Sequence, residues 1–98
     1  MEVAVKPAVA FAAARKAAVD MGWTLVTEDE ASGVIEATAE TFWFGFKDDV
    51  IVRVRPTANG SGVRIDARSI SRVGLSDLGA NGKRIERYLT RVSAELDG

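Results

Sequence analysis

The chain has 98 residues, of which 47% are apolar and 28% charged, enough for one hydrophobic core, too few for two, and far from the composition of a disordered segment. Thirteen basic against fourteen acidic residues leave a net charge of −1, so no global field draws in DNA, RNA or an anionic membrane. The absence of cysteine and histidine excludes disulfides, thiolate catalysis, the common zinc sites and the usual general base near neutral pH. No metal, cofactor or nucleic-acid partner is expected, and an enzyme of this composition would work with Asp, Glu, Lys, Arg, Ser or Tyr.

Pro7 opens a helix that runs to Met21, with proline in the first turn and Gly22 as its stop. Phe11, Ala14, Ala18 and Met21 share one stripe of it, and the alanines permit close approach to a flat surface. The most apolar stretch, Ala8 to Ala14, is broken by Arg15 and Lys16, well short of the roughly 20 residues needed to cross a bilayer. Neither a membrane span nor a signal peptide is expected.

A short strand follows from Trp23 to Thr27, with Trp23 buried in phase with Leu25. A polar turn over 28–33 leads into a second strand from Val34 to about Phe44, in which Ile35, Ala37 and Ala39 alternate with Glu36, Thr38 and Glu40. The third strand, Val50 to Pro56, sets Val50, Val52 and Val54 against Ile51, Arg53 and Arg55. The fourth, Ser61 to about Ile70, sets Val63, Ile65 and Ala67 against Arg64, Asp66 and Arg68. Between these two, Asn59-Gly60 signals a tight hairpin with positive φ at both positions; a two-residue turn places Arg53 opposite Asp66 and Val54 opposite Ile65, and a four-residue loop shifts the pairs by two while keeping every side chain on its own face.

Ser76 or Asp77 caps a final helix whose apolar residues are Leu78, Ile85, Leu89, Val92 and Leu96. The expected architecture is α+β: one domain over residues 1–98, with its core at about 7–96. A four-stranded antiparallel meander carries the N- and C-terminal helices on its apolar face.

From about Pro7 to Leu96 the sequence resembles a family known as domain of unknown function 1499. The resemblance is carried by residues 33–39 (GVIEATA), 42–56 (FWFGFKDDVIVRVRP) and 68–81 (RSISRVGLSDLGAN). It implies bacterial or plastid-lineage origin and a parent protein attached to a membrane, of which this chain is the soluble part. It assigns no catalytic residue.

Four candidate constellations stand out. The wet face of the sheet gathers Arg53, Arg55, Arg64 and Arg68 beside Glu36, Glu40 and Asp66. These arginines either grip a carboxylate or phosphate or form cross-strand ion pairs worth a few tenths to about 1 kcal/mol each. Phe42, Trp43, Phe44 and Phe46 either form a contact patch for a protein, lipid or apolar ligand or close one end of the core, with Gly45 permitting a bend. Asp48 and Asp49 are the one pair open to oxygen-only calcium or magnesium binding, but as adjacent residues they point apart, and the favoured reading is that they cap the turn after Lys47 or pair with nearby arginines.

The fourth is Ser69, Ser71, Arg72, Ser76 and Asn81, which surround a glycine and a helix N-terminus. They either hold an anion on the free N–H groups or satisfy buried backbone groups around a capped helix. The candidate ligand residues are therefore Arg53, Arg55, Arg68, Arg72, Ser76 and Asn81, and the candidate interaction patch is Phe42, Trp43, Phe44 and Phe46. The expected function is a non-catalytic binding or interaction module of a membrane-associated bacterial protein, with a protein or small anion as partner. The alternative is an enzyme or small-anion-binding domain built on Arg, Asp, Glu and Ser.

Overall fold

A computed structural model describes residues 1–40, 47–71 and 78–97. In chain order the elements are β1 (Glu2–Val3), α1 (Pro7–Asp20), β2 (Thr24–Asp29), β3 (Val34–Glu40), β4 (Lys47–Pro56), β5 (Val63–Ser71) and α2 (Leu78–Asp97). They form one antiparallel sheet in the order β1-β5-β4-β3-β2, so the α+β architecture is as read from the sequence.

The sheet has five strands rather than four. Glu2 pairs with Arg64 and Val3 with Val63, and the ladder continues where the Ile65 N–H donates to the Met1 carbonyl at 2.7 Å. Two residues are too few to show a period-2 pattern, so β1 leaves no signal in the sequence. It exists because β5 would otherwise present a bare edge there.

The hairpin register is the one that Asn59-Gly60 implies, with Arg53 opposite Asp66 and Val54 opposite Ile65. Its turn differs from the expected one, because only Gly60 has positive φ, at 70°. The Gly60 N–H donates to the Thr57 carbonyl, and the Thr57 N–H to the Gly62 carbonyl, both at 3.0 Å. Asn59 contributes its side chain instead of a left-handed backbone. Its Oδ1 accepts from the Thr57 hydroxyl at 2.8 Å and from the Ser61 amide and hydroxyl at 3.1 and 2.8 Å, which is the way asparagine stabilises turns.

The inner face of the sheet is the apolar one: Ile35, Ala37, Ala39, Val50, Val52, Val54, Val63 and Ile65 are all buried there. Against it α1 lays Ala10, Phe11, Ala13, Ala14, Ala17 and Ala18, a wider stripe than the spacing of Phe11, Ala14 and Ala18 suggests. Alanine at five of these six positions lets the helix sit close to the valines. Trp23 is buried, as expected, and stacks on Tyr88 of α2 with ring centroids 4.9 Å apart. The Tyr88 hydroxyl donates to the Ala14 carbonyl at 2.8 Å, so one side chain ties α2 to both α1 and the start of β2.

Gly33 occupies a position that no other residue fits. Its φ is 70°, and a Cβ there would lie 2.1 Å from the Val54 carbonyl oxygen, while its own carbonyl accepts the Val54 N–H at 2.7 Å. Gly33→Ala is therefore expected to cost at least about 2 kcal/mol in urea denaturation, combining left-handed strain with a backbone clash. Gly60→Ala makes the control, because Gly60 has the same φ and nothing within 4 Å of the added Cβ; it should cost about 1 kcal/mol. Equal losses at both sites would show that the Val54 contact relaxes freely.

Candidate functional site

The side-chain alternation along β4 and β5 does not stop where the apolar residues end. Asp48 continues the inward phase of Val50, Val52 and Val54, and Ser69 and Ser71 continue that of Val63, Ile65 and Ala67. The register sets Asp48 beside Ser71 and Val50 beside Ser69, so at this end of the sheet the inner face turns polar. On α2, Asn81, Arg84 and Tyr88 follow one another at spacings of three and four, the spacing of one helix face. That face covers the polar end with Asn81 and Arg84 and the apolar centre with Tyr88 and Val92.

The result is a closed network. The Arg84 guanidinium forms an ion pair with Asp48, Nη1 lying 2.7 Å from Oδ2, and donates through Nη1 to Asn81 Oδ1 at 2.6 Å and to the Ser69 hydroxyl at 3.0 Å. The Ser69 hydroxyl donates to Asn81 Oδ1 at 2.7 Å, and Asn81 Nδ2 donates to the Ser71 hydroxyl at 3.0 Å. Asp48 and Asn81 are 6% and 7% exposed, and among the described residues every buried side-chain nitrogen or oxygen has a partner. Chemically this is a desolvated ion pair with its remaining valences filled by neutral donors and acceptors, the condition under which a buried pair is tolerated.

Asn81 is thus brought together with Ser69 and Ser71 as the sequence suggests, but its amide is spent on them and on Arg84. Asp48 takes the arginine-paired option, and Asp49 faces the opposite side of the sheet. Sequence reasoning missed Arg84 and Tyr88. The available signal was the continuation of a helix stripe through polar residues, together with an aspartate in phase with three valines. Arg72, Ser76, the cap at Ser76 or Asp77, and the aromatic residues Phe42, Trp43, Phe44 and Phe46 lie outside the described residues.

The outer face of the sheet is open. Arg53, Arg55 and Arg68 are exposed there, and among the described residues none of them makes an ion pair. Arg64 turns instead to Asp66, with Nε 3.1 Å from Oδ2. Arg55 and Arg64 lie directly opposite each other in the ladder, a like-charge pairing that costs a little stability.

Beside these charges lie aliphatic side chains that the strict polar-out pattern does not require. Val26 is 63% exposed and Ile70 is 45% exposed. Val26 follows the inward Leu25 in alternation and lies where the register between Leu25 and Thr27 shifts, so that Thr27 faces outward beside it. With Ile51, Glu36 and Asp49, these two line a shallow depression of about 400 Å³ in the middle of the face.

On the helical side, a groove of about 710 Å³ runs along α2 past Lys83, Arg87 and Arg91. Glu86 and Asp20 interleave with those cations, and Arg91 lies 4.0 Å from Asp20, so the charges there largely compensate. Among the described residues no helix is long and apolar enough to cross a membrane.

No curated protein matches the chain. A family model described as "Protein of unknown function (DUF1499)" matches residues 1–92, a span that takes in β1 and every other element through most of α2. The chain belongs to the DUF1499 family.

Proposed function

We propose that this domain is a non-catalytic binding module that docks a protein partner on the open outer face of its sheet. The observation that carries this is the contrast between the two polar regions. Under α2 the charges are buried and mutually satisfied. On the outer face three arginines without ion partners among the described residues lie beside the exposed Val26 and Ile70 and the half-buried Ile51. Protein contacts combine such features, with aliphatic and arginine side chains at the centre and polar groups around them. The parent is proposed to be membrane-associated, as the resemblance implies.

The test is photo-crosslinking in cells with a benzophenone amino acid placed singly at position 51 or at position 90, which is exposed on the outer side of α2. Adducts from position 51 and none from position 90 are expected; adducts from position 90 alone would move the docking surface to α2 and overturn the proposal.

A second reading rests on the opposed Arg55 and Arg64, which present two guanidiniums to one small anion that displaces Asp66 from Arg64. Phosphate titration followed by NMR distinguishes it: saturable shifts confined to these two residues support the anion, and unsaturable drift across the whole face does not.

A further inference from the structure

The charges on the outer face are sorted by strand. On the β4 and β5 half the outward residues include Arg53, Arg55, Arg64 and Arg68 against Asp49 and Asp66. On the β2 and β3 half they include Asp29, Glu36 and Glu40 with no cation among them. One half of the face is therefore net basic and the other net acidic. The aliphatic residues do not follow this division, since Ile51 and Ile70 come from the basic half and Val26 from the acidic half.

We propose that the partner is a second copy of this chain, packed sheet to sheet about a two-fold axis that runs parallel to the strands. The inference rests on the reading of the outer face as the docking surface and names its occupant. Rotation about such an axis lays β4 and β5 of each copy over β3 and β2 of the other, so basic half meets acidic half twice in one isologous contact. An axis across the strands would superpose like halves and is disfavoured by the same charges. Two sheets packed in this way stand about 10 Å apart with interdigitated side chains, and Val26, Ile51 and Ile70 supply apolar side chains for that layer.

The size of the face sets the strength. Four strands about 4.8 Å apart and some seven residues long make a flat area on the order of 450 Å² per copy. That is at the small end for specific contacts, so the pair forms reversibly at high micromolar concentration and weakens with added salt.

The experiment is sedimentation velocity on the chain from about 10 µM to 1 mM, with two charge variants. One carries Arg53→Glu and Arg68→Glu, and the other Asp29→Lys and Glu36→Lys. The native chain should move toward twice its monomer mass as concentration rises, with association weakened at least tenfold in about 0.5 M salt. Each variant alone should stay monomeric across the range, and the two mixed in equal amounts should associate again. Circular dichroism of each variant separates loss of pairing from loss of folding, and recovery in the mixture does so independently.

A native chain that remains monomeric at about 1 mM overturns the inference, as do variants that pair as well as the native chain. If position 51 cross-links to a different protein while the chain stays monomeric, the second copy is excluded and the docking face itself stands.

Discussion

Arg84→Met is expected to destabilise the domain by about 3–5 kcal/mol, because it leaves the Asp48 carboxylate buried without its partner. In the native chain that carboxylate lies 2.7 Å from the Arg84 guanidinium, and the same nitrogen serves Ser69 and Asn81. The loss should be undone in large part by removing the other charge. Asp48→Leu combined with Arg84→Met replaces the pair with apolar side chains of similar length, a change that is often neutral or stabilising. Urea denaturation of the two single variants and the double variant checks this. The double variant should lie within about 2 kcal/mol of the native chain, well above the sum of the two single losses. Additive losses would mean that each residue acts through separate contacts rather than through the pair.

Tyr88→Ala should be comparably severe, at about 3–5 kcal/mol, since it empties a fully buried aromatic site between Trp23 and α1. Tyr88→Phe isolates the hydroxyl, which donates to the Ala14 carbonyl at 2.8 Å, and should cost about 1 kcal/mol. Alkaline pH separates the two terms further. Burial pushes the Tyr88 phenol above its ordinary value of 10.0, so the folded chain keeps the proton while the unfolded chain gives it up. The stability this provides is present in full below pH 10 and declines as pH rises above it. Across that window the native chain should lose stability faster than Tyr88→Phe, and their denaturation midpoints should converge. Parallel alkaline limbs would show that the phenol ionises equally in both states.

Much of the fold is legible because period-2 alternation and helix stripes report which side of an element is buried. The valines of β4 and β5, the alanines of α1 and the pairing of Arg53 with Asp66 all follow from local pattern. What escaped depends on partners distant in the chain. Glu2 and Val3 form a strand only because β5 offers them an edge. Asp48 is buried only because Arg84 arrives from α2 to neutralise it. Tyr88 hides at the centre of the α2 stripe, since a hydroxyl there looks amphipathic until the Ala14 carbonyl is placed above it.

The candidate site is legible to a similar degree. Arg53, Arg55 and Arg68 lie together on the wet face as the alternation requires. The same alternation, with Leu25 inward, sets Val26 outward, but it cannot show that Thr27 turns outward as well, because a register shift between Leu25 and Thr27 breaks it there. The sequence leaves Asn81 open between an anion at a helix terminus and the satisfaction of buried polar groups, and its geometry commits it to Ser69, Ser71 and Arg84.

The claim that binding belongs to the outer face and folding to the inner one meets its most direct test in one measurement: the yield of adducts from a benzophenone at position 51 when Arg53→Glu and Arg68→Glu are introduced. Both arginines are exposed and unpaired among the described residues, so the variant should keep its urea stability to within about 1 kcal/mol. Its adduct yield should fall to the background seen from position 90. An undiminished yield in this stable variant would contradict the account, since the arginines would then take no part in holding the partner.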